Sequence, residues 1–134
     1  MFVDASALCA ILLGEPEQAD LRLRIATTPS VQTSPVAVWE TVRALVRERV
    51  VDVPIAYAAV QTFLDVADIT VTPIGPEEQG LAIEAFDRFG KGRHPAALNM
   101  GDCFAYACAR SRGVPLLYKG DDFSRTDIDA VSGD

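Results

Sequence analysis

The stretch from Asn99 to Phe123, NMGDCFAYACARSRGVPLLYKGDDF, constrains the fold more than any other part of the chain. It joins a helix pattern, a turn at Gly113–Val114–Pro115, an apolar strand pattern at Leu116–Tyr118 and a second turn. Each half sets a carboxylate against an apolar run. Asp102 follows Gly101 at the start of Cys103–Ala109, and Asp121 and Asp122 follow the run Pro115–Tyr118. Buried carboxylates are costly unless they find partners. Two more acids have the same character: Asp4 closes the apolar dipeptide Phe2–Val3, and Glu40 adjoins Trp39. Together these acids read as one acidic, metal-binding pocket.

The rest of the chain supplies a scaffold for it. Phe2–Val3–Asp4 reads as a short buried strand, followed by a helix over Ser6–Leu13 that stops at Gly14. A second helix is expected over Glu15–Ile25, and a strand over Val31–Thr33. Ser34–Pro35 opens a third helix, serine as cap and proline in its first turn, with Trp39, Val42, Val46 and Val50 recurring near helical period. Pro54 starts a fourth helix with a stripe of Tyr57, Val60, Phe63 and Leu64. Ile69–Thr72 reads as a strand. A fifth helix runs from Gly75 to Gly90, a loop covers Lys91–Leu98, and a sixth helix covers Gly101–Arg112. Thr126–Asp129 is expected to add an edge strand. Strands alternating with helices predict a three-layer α/β/α domain with a mostly parallel sheet, one domain over residues 1–134.

Composition removes several function classes. No apolar run approaches the roughly 20 residues that cross a bilayer. The N-terminus has no basic segment, so no signal peptide is expected. Cys9, Cys103 and Cys108 are an odd count in apolar surroundings, which predicts free thiols in a reducing, cytoplasmic setting. The net charge of −7 argues against a broad basic surface for nucleic acid. An acidic pocket is different, because bound divalent cations reverse its local sign. The basic residues fall in two groups, Arg43, Arg47 and Arg49, and Arg88, Lys91, Arg93 and His94. Either group reads equally as a solvated helix face.

In parallel sheets ligands collect beyond the carboxyl ends of the strands. Asp4 and Asp121 both sit just past such ends. Acids converging there repel one another unless a cation binds or a proton is taken up. Oxygen ligands suit Mg²⁺ or Mn²⁺, which activate water and stabilise the leaving oxygen of a phosphodiester. Each acid also has a plain structural reading. Asp4 can cap a helix, Glu40 can pair with Arg43, Asp102 can be a helix-start residue, and Asp121 and Asp122 can be turn residues. Spacing alone does not bring them together.

Three stretches, VDASALCAILLGEPE, PVAVWETVRALVRERV and HPAALNMGDCFAYACARSRGVPLLYKGDDFSRTDI, resemble the PIN-domain ribonucleases, and more narrowly the VapC-type toxins of bacterial toxin–antitoxin pairs. The resemblance covers nearly the whole chain and is most specific in the last stretch. It implies an endoribonuclease using Mg²⁺ or Mn²⁺, usually a homodimer, held inactive by a cognate antitoxin protein. The family's acids carry over onto Asp4, Glu40, Asp102 and Asp121, with Asp122 as the alternative to Asp121. Ser6 matches the small hydroxyl residue that supports the first acid.

Asn99 is expected to cap the sixth helix or to orient a carboxylate or substrate. Arg88, Lys91 and Arg93 are the expected phosphate contacts, Trp39 reads as core, and His94 as a loop residue. Of the tandem acids, Asp121 is expected to face the pocket, because consecutive residues of an extended chain point to opposite sides. Asp122 would then cap the turn near Ser124 or Thr126. Trp39, Val42, Tyr57, Val60 and Phe63 offer more apolar surface than one sheet layer needs, which predicts cover by a homodimer or an antitoxin segment. The rival readings are a PIN-like module with a vestigial site that acts by binding protein, a nuclease for another nucleic acid, and a phosphatase. A haloacid-dehalogenase-like phosphatase fits poorly, since Ser6 stands where its second acid would be.

Overall fold

The computed structural model describes residues 1–130. Four short parallel strands form one sheet in the order β3-β2-β1-β4. They are β1 (Phe2–Val3), β2 (Val31–Thr33), β3 (Ile69–Val71) and β4 (Leu116–Leu117). Alternation along them divides the core between two faces. Val3 and Leu117 join one apolar cluster with Leu8, Ile11, Leu45, Val60 and Leu64. Phe2 and Leu116 join the other with Phe89, Leu98 and Tyr106. The first face is covered by α1 (Ala5–Leu12), α2 (Gln18–Ala26), α3 (Pro35–Arg49) and α4 (Val53–Val66). The second is covered by α5 (Pro76–Phe89) and α6 (Met100–Arg112). This is the three-layer α/β/α arrangement that the sequence predicts.

The helix ends follow local chemistry. Ser34 Oγ accepts from the Ala37 amide at 3.1 Å, with Pro35 opening α3, as the sequence implies. At α5 the carboxylate of Glu78 reaches back to the Gly75 amide at 2.8 Å. Gly14 follows α1 with φ +71°, a left-handed turn that glycine takes without strain.

Several expectations are corrected. The α3 residues that bury are Ala37, Thr41 and Leu45, while Trp39 is exposed and Val42 and Val46 are half-buried. Small side chains let α3 lie close to α1 and α6, and the Thr41 hydroxyl is satisfied by the Ala37 carbonyl at 2.7 Å. Helix α2 begins at Gln18, because residues 15–17 form a turn first. Thr126–Asp129 is not a strand. A 3₁₀ turn over Phe123–Arg125 is followed by a single parallel bridge from Leu116 to Ala130, with the Leu116 amide bonded to the Asp129 carbonyl at 2.9 Å. Val60 is fully buried within the subunit, and Phe63 is half-buried beneath the Arg22 guanidinium, so neither adds to an outer apolar face. Among the described residues the cysteines are free and no helix is long and apolar enough to cross a membrane.

Candidate active site

The chain passes from β1 to β2 on one side and returns to pair β4 on the other, so the strand order reverses at β1. The carboxyl ends at such a reversal form the natural crevice of a parallel sheet. Asp4 is the first residue past β1 and is only 4% exposed. Its Oδ2 accepts from the Ser6 amide at 3.0 Å and from Ser6 Oγ at 2.6 Å, capping α1. The same hydroxyl accepts from the Lys119 amide at 3.0 Å, just beyond β4. One serine thus ties the end of β1 to the segment just beyond its neighbour β4. The Lys119 side chain pairs with Glu15 and Glu17, which holds the loop after β4 from outside.

Asp102 lies in the first turn of α6. Asn99 Oδ1 accepts from the Asp102 amide at 2.9 Å, and Asp102 Oδ2 accepts from the Asn99 amide at 3.1 Å. Asn99 therefore caps the helix and fixes a carboxylate in one arrangement. Glu40 projects from α3 against the start of α6. It passes so near Gly101 that any Cβ at that position would overlap its carboxylate. A glycine in the first turn of a helix is unfavourable by itself, and that is the one sequence signal that pointed to this approach. Sequence reasoning assigned Gly101 no part in the site.

Electrostatics bind the cluster together. Burial raises the Asp4 pKa, the Ser6 bonds oppose the rise, and the charge of Asp122 adds to it. Glu40 is pushed up to about 7, first by burial, then by the charges of Asp4 and Asp102, against a lowering by Arg43. Asp102 is pushed up to about 6 by burial, opposed by the Asn99 amide, with Asp4 and Asp122 adding to the rise. The Cys9 thiol at the pocket's edge is pushed up to about 11, mainly by burial, and stays neutral.

The structure gives the remaining expected site residues these surroundings. Asp122 is the tandem acid whose charge acts on Asp4 and Asp102, whereas the charge of Asp121 acts on Tyr118. The alternation rule fails because the chain is not extended there: Gly120 has φ +98° and Asp122 is already in the right-handed helical region. Nor does Asp122 cap the turn; Ser124 Oγ bonds the Asp121 carbonyl and Thr126 Oγ1 the Phe123 carbonyl. Arg88 is engaged by Asp127 at 3.1 Å and Glu84 at 3.6 Å, and Arg93 by Asp87 at 3.5 Å. Lys91 lines an apolar groove between α5 and α6. His94 is a loop residue whose Nδ1 accepts from the Ala96 amide.

Among the described residues, no group of three or more His, Cys, Asp or Glu side chains stands ready to hold a metal ion. A closed cage is not what Mg²⁺ requires. That ion keeps several waters and takes one or two carboxylates together with substrate phosphate. Acids raised by burial and by neighbouring acidic charge, with oxygen as their donor atom, fit such a cation.

The PIN domain family model matches residues 1–129. The chain is 37% identical to a VapC ribonuclease of Rhizobium meliloti, over 95% of this chain and 98% of that one. It is 39% identical to a Ribonuclease VapC of Mycolicibacterium smegmatis, over 98% and 99%. The fold is similar to Mycobacterium tuberculosis VapC20, a sarcin-ricin loop cleaving toxin, at TM-score 0.76 and 22% identity over 97% of each chain. It also matches a toxin–antitoxin complex from Klebsiella pneumoniae, at TM-score 0.69 and 15% identity over 98% of this chain and 95% of that one. The clustered acids at the strand reversal, the three-layer fold and a match along nearly the full length lead to one conclusion: the chain belongs to the PIN-domain family, on its VapC branch.

Proposed function

We propose that this protein is an endoribonuclease toxin of a toxin–antitoxin pair, acting in the cytoplasm with Mg²⁺ or Mn²⁺. The observation that carries the reading is that Asp4, Glu40 and Asp102, from three distant parts of the chain, are all raised by burial in one crevice, with the charge of Asp4 adding to the rise at the other two. Asp4, Glu40, Asp102 and Asp122 would hold the ion. When bound, it supplies an activated water and stabilises the leaving oxygen of the phosphodiester. The protein's own groups prepare the crevice. Ser6 fixes Asp4, Asn99 fixes Asp102, and the lack of a side chain at Gly101 admits Glu40. Glu40, with a pKa near 7, holds a proton part of the time at neutral pH and releases it as the pocket gains positive charge.

The partner surface also follows. Trp39, Val53, Tyr57 and Val71 remain 40–60% exposed around a groove of about 420 Å³. This face suits cover by a second copy of the chain or by an apolar segment of the antitoxin. Sedimentation of the purified chain, alone and with its antitoxin, reads which of the two covers it.

The functional test uses the full chain with single-stranded RNA, with Mg²⁺ or Mn²⁺ and with chelator. The expected result is cleavage only with the metal, accompanied by a metal-dependent rise in melting temperature. Neither effect would be seen from a vestigial module that acts by binding protein. Preferential cutting of DNA would move the substrate class to another nucleic acid.

A further inference from the structure

We propose that Arg43 and Arg47 form the wall that receives the phosphate backbone of the RNA strand beside the bond to be cut. The inference rests on the endoribonuclease reading and adds a substrate path to it. A chain of net charge −7 with a buried acidic crevice repels RNA unless cations stand next to the crevice. A polar groove of about 270 Å³ meets that need, lined by Ser6, Cys9, Glu40, Arg43, Arg47 and Asn99. It opens on the groups that set the acids in place. Glu40, Arg43 and Arg47 share one face of α3 at spacings of three and four residues. The groove therefore runs from carboxylate to guanidinium within about two helical turns.

Availability separates these arginines from the other basic group. Both are exposed. Among the described residues Arg43 has no carboxylate at ion-pair distance, and its guanidinium lies 5.8 Å from the Trp39 ring centre. Among the described residues Arg47 pairs only with its exposed neighbour Glu48, at 3.1 Å, a contact of small worth that a phosphate can displace. Arg88 is tied to Asp127 and Glu84, and Arg93 to Asp87. A strand laid along the groove would set the reacting phosphate at the Glu40 end and the neighbouring phosphates against Arg43 and Arg47.

The test compares the double variant Arg43→Gln/Arg47→Gln with Arg88→Gln/Arg93→Gln. A fluorescent single-stranded oligoribonucleotide is bound by anisotropy between 50 and 200 mM salt, in full-length chains carrying Asp102→Asn to stop cleavage. Loss of two phosphate contacts should flatten the slope of log affinity against log salt by about 1.4 and weaken binding by about tenfold. The Arg88/Arg93 control should keep the parent slope. In the cleaving protein KM should rise with kcat unchanged. An unchanged slope overturns the proposal. So does a loss confined to kcat with a shifted pH profile, which would mean that Arg43 acts through Glu40. Weaker capture of the antitoxin with an intact RNA slope gives the wall to the protein partner and also overturns it. If the wild-type chain cuts no RNA, the endoribonuclease reading fails while the slope still decides this proposal.

Discussion

Two groups of carboxylates in this molecule have opposite surroundings. Asp127 accepts from the Tyr106 hydroxyl at 2.6 Å and pairs with Arg110 at 2.8 Å and Arg88 at 3.1 Å. Burial raises its pKa, but the bonds from Tyr106 and Arg88 and the charge of Arg110 outweigh that, and the net shift is downward. Asp4 receives an amide and a hydroxyl and Asp102 an amide, but among the described residues Asp4, Glu40 and Asp102 have no cation at ion-pair distance, and their shifts are upward. The first arrangement fastens the segment after β4 to α5 and α6. The second leaves an electrostatic deficit that a cation can fill. Residue type does not separate a structural acid from a functional one; the sign of its neighbours does.

The sharpest break of this contrast is to neutralise one acid in each group. Asp102→Asn should reduce RNA cleavage to the assay background, while its melting temperature holds or rises because a repulsion is removed. Asp122→Asn should behave alike, and Asp121→Asn should keep its activity. A cleavage loss at Asp121 with Asp122 spared would reverse the placement of the fourth acid.

Gly101→Ala probes the same pocket without touching charge. The new methyl displaces the Glu40 carboxylate, a flexible side-chain end, so the fold should tolerate it. Alanine is also the better helix residue by about 1 kcal/mol. The expected outcome is a loss of roughly 10²-fold in kcat/KM with an unchanged or higher melting temperature. Unaltered kinetics would show that Glu40 has no need of its present position.

On the other side of the contrast, Asp127→Asn should cost about 1–2 kcal/mol in a denaturant titration, a figure held low because the ion pairs are part-exposed. Cleavage should fall only as far as the loop carrying Asp122 loosens. A variant as stable as the parent would mean that the two arginines find other partners.

The smallest effect is a pH dependence. Glu40 and Asp102 have folded-state pKa values of about 7 and about 6, above their ordinary 4.5 and 3.8. The folded protein thus binds more protons than the unfolded chain between those limits, and stability falls as pH rises through them. Without divalent cations the melting temperature should drop by roughly a few degrees from pH 5 to 7.5. Mg²⁺ or Mn²⁺ should close most of that gap. A flat profile would remove the upward shifts on which the contrast stands.

The sequence was most informative where local chemistry decides. Ser34–Pro35 marks the start of α3, Gly14 the end of α1, and the apolar pairs Phe2–Val3 and Leu116–Leu117 mark strands that the structure finds at those places. It was least informative where long-range packing decides. The closeness of Glu40 to Gly101 depends on how α3 meets α6 across 61 positions of chain. The hold of Asp127 on Arg88 spans 39 positions, and it withdraws an arginine that reads from sequence as a phosphate ligand. The tandem acids were hard to tell apart because period-two alternation does not hold in a turn.

The pairing of β1 with β4 also fixes when the pocket can exist. Asp4 and Asp122 stand 118 positions apart, and the strands that bring them together are the first and fourth of the sheet. No nascent chain short of residue 122 can complete the crevice. Closing so long a loop is also the slowest kind of contact for a small domain to form. A nuclease whose substrate is RNA is made in the presence of the message that encodes it and the ribosome that reads it. Setting the acids 118 positions apart delays completion of the crevice until the segment after β4 has been made.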